Sequence, residues 1–197
     1  MSPLTHLLIS WTVAAKTTDN LRDTRLVALA GILPDADGFG LVIDMIRDPS
    51  LQRGAYYYQE YHHWLAHGLA GGIVMALLLA CFAQKHGRVF LLALLTFHLH
   101  LICDFIGSRG PTPGDLWPIY YFGPFTRSPV WMWTHQWRLD GWQNRVIAIS
   151  FFMGTLWMGA RLGHSVVGVF NRRADAVFVA VIRKWMQRAH VVPVKSE

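Results

Sequence analysis

Two long apolar runs joined by a short polar segment constrain this chain more than any other feature of its sequence. The runs extend from Leu65 to Ala83 and from Val89 to Ile106, and the residues between them are mostly polar. Each run approaches the ~20 residues that an α-helix needs to cross ~30 Å of hydrocarbon. A connection this short joins helices that run antiparallel. The sequence therefore predicts an antiparallel hairpin of membrane helices.

The composition and the remaining apolar runs indicate a multi-pass membrane protein. Hydrophobic residues make up 53% of the 197 residues and charged residues only 15%, whereas soluble domains carry about 25% charged residues. A third run, Val146 to Ala160, is long enough for a further helix. Two shorter runs, Leu4 to Ala15 and Leu26 to Leu33, predict short spans, re-entrant segments or buried helices. The expected fold class is all-α, a multi-pass membrane helical bundle.

The C-terminal quarter combines apolar residues at helical spacing with many basic residues. From Val166 to Ala189 this pattern predicts a basic amphipathic helix suited to an anionic membrane surface. We therefore expect residues 1–165 to form a membrane-embedded domain and residues 166–197 to form a C-terminal helix and tail. Because Lys and Arg are not gathered on one face or arm, no nucleic-acid partner is expected.

The distribution of basic residues predicts an orientation. If the five apolar runs alternate across the membrane, one side collects most of the Lys and Arg, including those near the C-terminus, and that side should be cytoplasmic. The long loop from Arg109 to Trp142, which is rich in Trp and Tyr, would then face the periplasm. The expected location is the bacterial inner membrane, with a cytoplasmic C-terminus.

Ionisable residues interrupt the second long run. His100 and Asp104 are four residues apart and share a helical face, while His98 points about 160° away from His100. Ionisable groups inside a membrane helix are costly, so they usually mark a function. The pair indicates a metal site. The alternative is a structural histidine that a nearby carboxylate orients.

The hairpin brings a second histidine segment to the same level. Folding the chain back at the middle of its polar turn puts His67 opposite Asp104. If the helix extends through this segment, His63 and His67 share a face at spacing four, whereas His62 reaches the same metal only if the helix begins after it. The sequence leaves open whether His62 or His63 is the ligand.

A pair of acidic residues follows the second short run. Asp35 and Asp37 come after Pro34 and before Gly38, so they are predicted on a turn that leaves the membrane. A turn with solvated acids is the alternative interpretation. Alternation of the runs would bring this turn to the level of the histidines. The predicted ligands are then His6, Asp35, Asp37, His62, His63, His67, His100 and Asp104. Imidazole and carboxylate ligands suit one or two divalent ions, zinc first, with manganese or iron as alternatives.

Five short motifs, in order, resemble those of the YdjM-like family of membrane-bound metal-dependent hydrolases. They are His6 to Ser10, Leu33 to Asp37, His62 to His67, His100 to Asp104 and Leu116 to Pro118. The resemblance implies a metal site at one membrane face, with the metal activating a water molecule and Asp35 or Asp37 acting as ligand or base. The family's histidine segment usually reads His-Arg-Gly-x-Thr-His-Ser, which matches His62 and His67. Gly38 stands where the family usually has a histidine.

The spacing of His100 and Asp104 is also similar to that of zinc-dependent phospholipase C and P1 nuclease. That resemblance implies a phosphoester substrate, and the membrane setting implies a lipid or lipid-linked molecule. Arg109 would hold a phosphate bidentately, or be an interfacial arginine whose stem lies in the membrane. His135 would be a general acid, or a structural histidine at the level of the headgroups.

The expected function is hydrolysis of a phosphoester of a lipid or lipid-linked substrate. One alternative is hydrolysis of a lipid amide or ester, as in membrane zinc hydrolases. Another is a non-catalytic membrane protein whose histidines bind metal for sensing or for docking a partner. Metal-dependent turnover by the purified protein would separate catalysis from sensing.

Overall fold

Helices supply the regular structure of the chain in the computed structural model, which describes residues 1–50, 56–62, 64 and 66–188, without the side chain of Gln59. The helices are α1 (Pro3–Thr17), α2 (Leu21–Ala30), α3 (Gly40–Arg47), α4 (Tyr56–Tyr61), α5 (Leu69–Cys81), α6 (His86–Gly107), α7 (Trp142–Leu162) and α8 (Arg172–Arg188), with 3-10 helices at Leu33–Phe39 and Val166–Val169. Within the described ranges there are no strands, only two isolated bridges in the loop before α7. The predicted all-α class is confirmed.

Helix α6 lies at the centre of the bundle. It packs against α1, α2 and α5, and it buries Val89, Ala93, Phe97, His100 and Asp104. These positions recur every three or four residues, so they form one face of the helix. The opposite face of α6 is also apolar and is exposed, as expected for a helix that meets lipid on one side and protein on the other.

In the described part of the chain, two helices are long and apolar enough to cross a membrane, α6 with 22 residues and α7 with 21. Helix α2 and the segment Leu33–Arg47 qualify together as a third span or a re-entrant loop, bent by 49° at the break between them. The predicted third run is thus confirmed as α7. Helices α1 and α5 have 15 and 13 residues, which is short of the ~20 needed to cross a bilayer.

The first arm of the hairpin is shorter than the sequence predicts. Helix α5 begins at Leu69 rather than near Leu65, and the described residues between His62 and Gly68 are not helical. The Leu69 amide donates to the carbonyl of Tyr121 at 2.7 Å, and a Cβ on Gly68 would lie 2.5 Å from the Gly123 carbonyl oxygen. Contacts with the loop before α7 therefore take the place of a further helical turn at the start of α5. Of the two alternatives for the histidine segment, the structure shows the helix that begins after His62.

The hairpin itself depends on close contact between α5 and α6. A Cβ on Gly72 would lie 2.5 Å from the ring of Phe97, which is fully buried. Gly72→Ala is therefore expected to lower the melting temperature of the protein in detergent, because overpacking costs about 1–3 kcal/mol.

Gly154→Ala in α7 is the matched control, since a Cβ there meets nothing within 4 Å. Both changes replace a helical glycine with alanine, so both gain the same helix propensity. Equal melting temperatures for the two variants would contradict the packing of α5 on α6.

The C-terminal helix begins later than predicted. The expected helix starts at Val166, whereas α8 starts at Arg172, after the 3-10 helix and after Gly163, which has a φ of 78°. Asp175 in α8 accepts hydrogen bonds from the amide and the hydroxyl of Ser165 at 2.8 and 2.6 Å. Ile182 packs against α7. Attachment of α8 to a membrane surface stays a prediction, and residues 189–197 lie outside the described residues.

Candidate metal centre

The candidate site lies where the C-terminal turns of α6 meet the first turns of α1. His100 and Asp104 project from the buried face of α6, and His6 projects from α1. The N-terminus of α1, next to the site, is stabilised in two ways. Pro3 occupies its first turn, and the Ser2 hydroxyl accepts a hydrogen bond from the Thr5 amide at 3.3 Å. The site is therefore held by two helices that pack on each other.

Four side chains form the first group of potential ligands: His6, Asp35, His100 and Asp104. One ligand atom from each lies within 4.8 Å of the others. The two imidazole Nε2 atoms lie next to the Asp104 carboxylate, at 3.1 Å for His6 and 3.0 Å for His100. Asp35 approaches His100 Nε2 at 3.7 Å. Their positions converge as the sequence predicts.

His67 joins this group from the segment before α5. Its Nε2 lies 3.1 Å from Nε2 of His100 and 3.6 Å from Oδ2 of Asp104. The predicted placement of His67 opposite Asp104 is therefore found, although the residues around His67 are not helical. The closeness of His67 to Asp104 follows from the register of the hairpin. That register depends on the turn and on α6, and it does not require a helix through His67.

The second group of potential ligands consists of Asp37, His62 and His67. Asp37 Oδ1 lies 2.5 Å from His62 Nδ1, and Asp37 Oδ2 lies 3.0 Å from His67 Nδ1. Asp37 also accepts a hydrogen bond from the Ala66 amide at 3.2 Å. The structure thus places His62 at the site, while His63, the other candidate, lies outside the described residues.

Hydrogen bonds behind the imidazoles determine which nitrogen each presents. His100 Nδ1 donates to the carbonyl of Gly31 at 2.9 Å, and His67 Nδ1 faces the Asp37 carboxylate. In the neutral form of each ring, Nε2 would present its lone pair to a bound metal, which is the usual arrangement of metal-binding histidines. Gly31 is required here, because a Cβ would lie 1.6 Å from the Ser10 hydroxyl oxygen.

Two buried polar atoms in the cluster have no hydrogen-bond partner among the described residues, Nδ1 of His6 and Oδ2 of Asp35. Buried polar groups without partners are rare in folded proteins and require an explanation. Imidazoles and carboxylates in these numbers are the ligands that zinc, manganese and iron accept. The donor set therefore fits one or two divalent ions.

The Met1 α-amino group also contacts Asp104 and donates to the Ser108 hydroxyl at 2.8 Å.

The electrostatics of the site favour a positive charge. Burial lowers the pKa of His67, but hydrogen bonding and charge interactions with Asp104 and Asp37 outweigh it and raise the pKa to about 9. Burial and the charges of Asp35, Asp37 and Asp104 raise the pKa of Tyr58 to about 12. The carboxylates thus stabilise a cation and keep the Tyr58 hydroxyl protonated.

A cavity of about 420 Å³ opens onto the first group. Asp35 and Asp104 line it together with His62, and its other walls are largely apolar, from Pro3, Phe39, Leu41, Val42, Trp117 and Leu139. A neighbouring cavity of about 560 Å³ shares Leu41, Tyr58, His62 and Trp117 with the first. The two cavities therefore form one cleft beside the cluster.

The two remaining predicted site residues lie elsewhere. Arg109 and His135 line neither cavity of the cleft, and His135 is exposed beside Thr134. In contrast, sequence reasoning missed Tyr58, whose ring stacks on His62 with 4.6 Å between ring centroids. Its position four residues before His62, on the same helical face, was the available signal.

The comparison with protein-family models identifies the family of this chain. Searches of the curated proteins and of the solved structures found no match. The family model described as YdjM inner membrane protein matches residues 1–182, which include every helix of the bundle up to the middle of α8. The chain belongs to the YdjM inner membrane protein family.

Proposed function

We propose that this protein is a membrane-bound metal-dependent hydrolase that acts on a phosphoester of a lipid or lipid-linked substrate. The observation that carries the proposal is the convergence of His6, His67 and His100, all fully or nearly fully buried, on Asp104, which lines a cleft with largely apolar walls. A purely structural cluster has no need of an open cleft beside its carboxylates.

The ions are assigned to the two groups of ligands. His6, Asp35, His100 and Asp104 would hold one divalent ion, and Asp37 with His62 and His67 would hold or support a second. When bound, a divalent ion lowers the pKa of a water molecule and neutralises negative charge on the reacting group. Asp35, the most accessible carboxylate of the first group, is placed to accept a proton at its unpartnered Oδ2.

The cleft supports a substrate with an apolar chain. Phe39 and Val42 line it and are largely exposed, so an acyl or isoprenoid chain would bury apolar surface there. The Tyr58 hydroxyl is a neutral donor for a substrate oxygen. Because no Lys or Arg is among the described residues that line the cleft, the ions would neutralise the phosphate, and Arg109 and His135 have no part in the proposal.

The spacing of His100 and Asp104 resembles that of zinc-dependent phosphodiesterases of the phospholipase C type, and on this resemblance we propose a phosphoester rather than an amide as the substrate. We further propose that the site faces the periplasm and that the C-terminus is cytoplasmic. The asymmetric distribution of Lys and Arg supports this orientation, and a reporter fused after Glu197 tests it.

The proposal is tested with the purified protein in lipid nanodiscs, stripped of metal and reloaded with Zn²⁺, Mn²⁺ or Fe²⁺ in turn. Each form is incubated with a bacterial phospholipid extract and, separately, with a ceramide, and the products are identified by mass spectrometry. We expect metal-dependent release of a phosphorylated headgroup or of inorganic phosphate, and loss of that product when a chelator removes the metal.

Cleavage of the ceramide alone would assign the site to lipid amides and contradict the phosphoester. Tight metal binding without turnover of any lipid would contradict catalysis and favour the sensing alternative. An untargeted lipid comparison between cells with and without the protein extends the test to substrates that the extract lacks.

A further inference from the structure

A separate cavity of about 180 Å³ lies at the other end of the bundle. It lies between α1, the first turn of α2 and the connection from α7 to α8. The metal-ligand cluster adjoins the start of α7, where Asn144 donates to the Gly107 carbonyl at 2.7 Å. The separate cavity adjoins the end of α7 at Gly163. The cavity therefore lies toward the opposite end of α7 from the cluster, and it shares none of its described lining residues with the cleft.

Two arginines line this cavity without anionic partners. Arg25 is half-buried and Arg172 is exposed. Among the described residues neither guanidinium donates a hydrogen bond or lies within salt-bridge distance of a carboxylate. Guanidinium groups in a concave wall match the geometry of phosphate oxygens and bind them bidentately.

The other polar residues of the cavity only partly neutralise these charges. Asp175 lines the cavity as the single carboxylate among its described lining residues, and its Oδ1 accepts two hydrogen bonds from Ser165. Burial lowers the pKa of His164, although the charge of Asp175 raises it, so this imidazole is largely neutral and offers an N–H donor. The net charge that faces the cavity is positive.

The surroundings of the cavity favour a lipid over a free anion. Leu21 lines the cavity at its edge, and Phe170 and Val177 lie exposed beside the start of α8. An anion with an attached acyl chain would cover this apolar surface, whereas free phosphate would leave it in water.

We propose that Arg25 and Arg172 bind the phosphate of an anionic lipid headgroup in this cavity, which is separate from the cleft beside the metal-ligand cluster. The site does not depend on hydrolysis, and it gives the C-terminal helix a specific lipid contact in addition to general attraction to an anionic surface.

The test compares two double variants of the full-length protein. Arg25→Gln with Arg172→Gln removes both cavity guanidiniums, and Arg22→Gln with Arg173→Gln makes the same charge change on the same helices outside the cavity. Binding of phosphatidylglycerol, of phosphatidylcholine and of inorganic phosphate is measured in detergent by native mass spectrometry and by the shift in melting temperature.

We expect phosphatidylglycerol to bind the wild type and the control variant, and its affinity to fall about tenfold or more in the cavity variant, since charge-assisted bidentate contacts are lost. An equal loss of phosphatidylglycerol affinity in both double variants would show an effect of overall charge alone and overturn the proposal. Binding of phosphatidylcholine as tight as that of phosphatidylglycerol would also overturn it. Binding of inorganic phosphate alone would overturn the lipid assignment.

The melting temperature without lipid shows whether the cavity variant is folded. If it is not, Arg172→Gln alone is used, because Arg172 is exposed and its guanidinium makes no hydrogen bond or salt bridge among the described residues. Unchanged phosphatidylglycerol binding in this single variant would also overturn the proposal.

Discussion

His100→Ala is expected to abolish stoichiometric metal binding and to lower hydrolytic activity about a thousandfold or more, since a metal ion supplies several kcal/mol of transition-state stabilisation. The Nε2 of His100 lies within 3.1 Å of both His67 and the Asp104 carboxylate, so its loss removes a ligand from the centre of the cluster. Metal content is measured by mass spectrometry of the purified protein, and activity by release of the phosphorylated product.

His98→Ala is the matched control for this change. His98 lies two residues away on the same helix, but its ring contacts the Leu94 carbonyl and the Tyr121 hydroxyl rather than the cluster. We expect this variant to bind metal with wild-type stoichiometry. If both variants kept their metal and their activity, the assignment of α6 to the metal centre would be wrong.

Asp37→Asn is expected to weaken metal binding by about 10- to 100-fold, the usual effect of losing a carboxylate that orients a ligating histidine. Asp37 faces Nδ1 of both His62 and His67. An asparagine presents one oxygen and one NH₂ group, so it cannot accept from both rings and the Ala66 amide. One ring must change tautomer, which turns a proton toward the metal ligands.

The dissociation constant of the metal is measured by competition with a chelator, and the melting temperature of the metal-free protein is recorded beside it. A positioning role predicts weaker metal binding with little change in the melting temperature. Asp140→Asn, at an exposed carboxylate paired with Arg138, is the control. A large fall in melting temperature with unchanged metal affinity would instead assign Asp37 to folding alone.

Local sequence patterns predicted much of the bundle because helices that contact lipid are determined by length and apolarity. The run that became α7 was located within a few residues, and the face of α6 that carries His100 and Asp104 follows from a spacing of four. The hairpin also placed His67 opposite Asp104. That inference needed only an antiparallel register, which the short polar turn determines.

The histidine segment shows where local patterns fail. Apolar residues around Leu65 predict a continuing helix, yet the chain before Leu69 is held by the Tyr121 and Gly123 backbone of a loop more than fifty residues away. A hydropathy pattern contains no information about such a long-range contact. The orientation of His62 and His67 toward Asp37 therefore depends on tertiary packing rather than on helical spacing.

By itself, the sequence determined that apolar helices form a membrane bundle and that histidines and aspartates gather at one end, because apolar length and helical spacing are properties of short stretches of chain. Only the tertiary structure decided that Asp35 and Asp37 lie in a 3-10 helix beside α6, which backbone carbonyl orients His100, and that Tyr58 borders the cleft. Those features depend on contacts between distant segments, which a one-dimensional pattern does not contain.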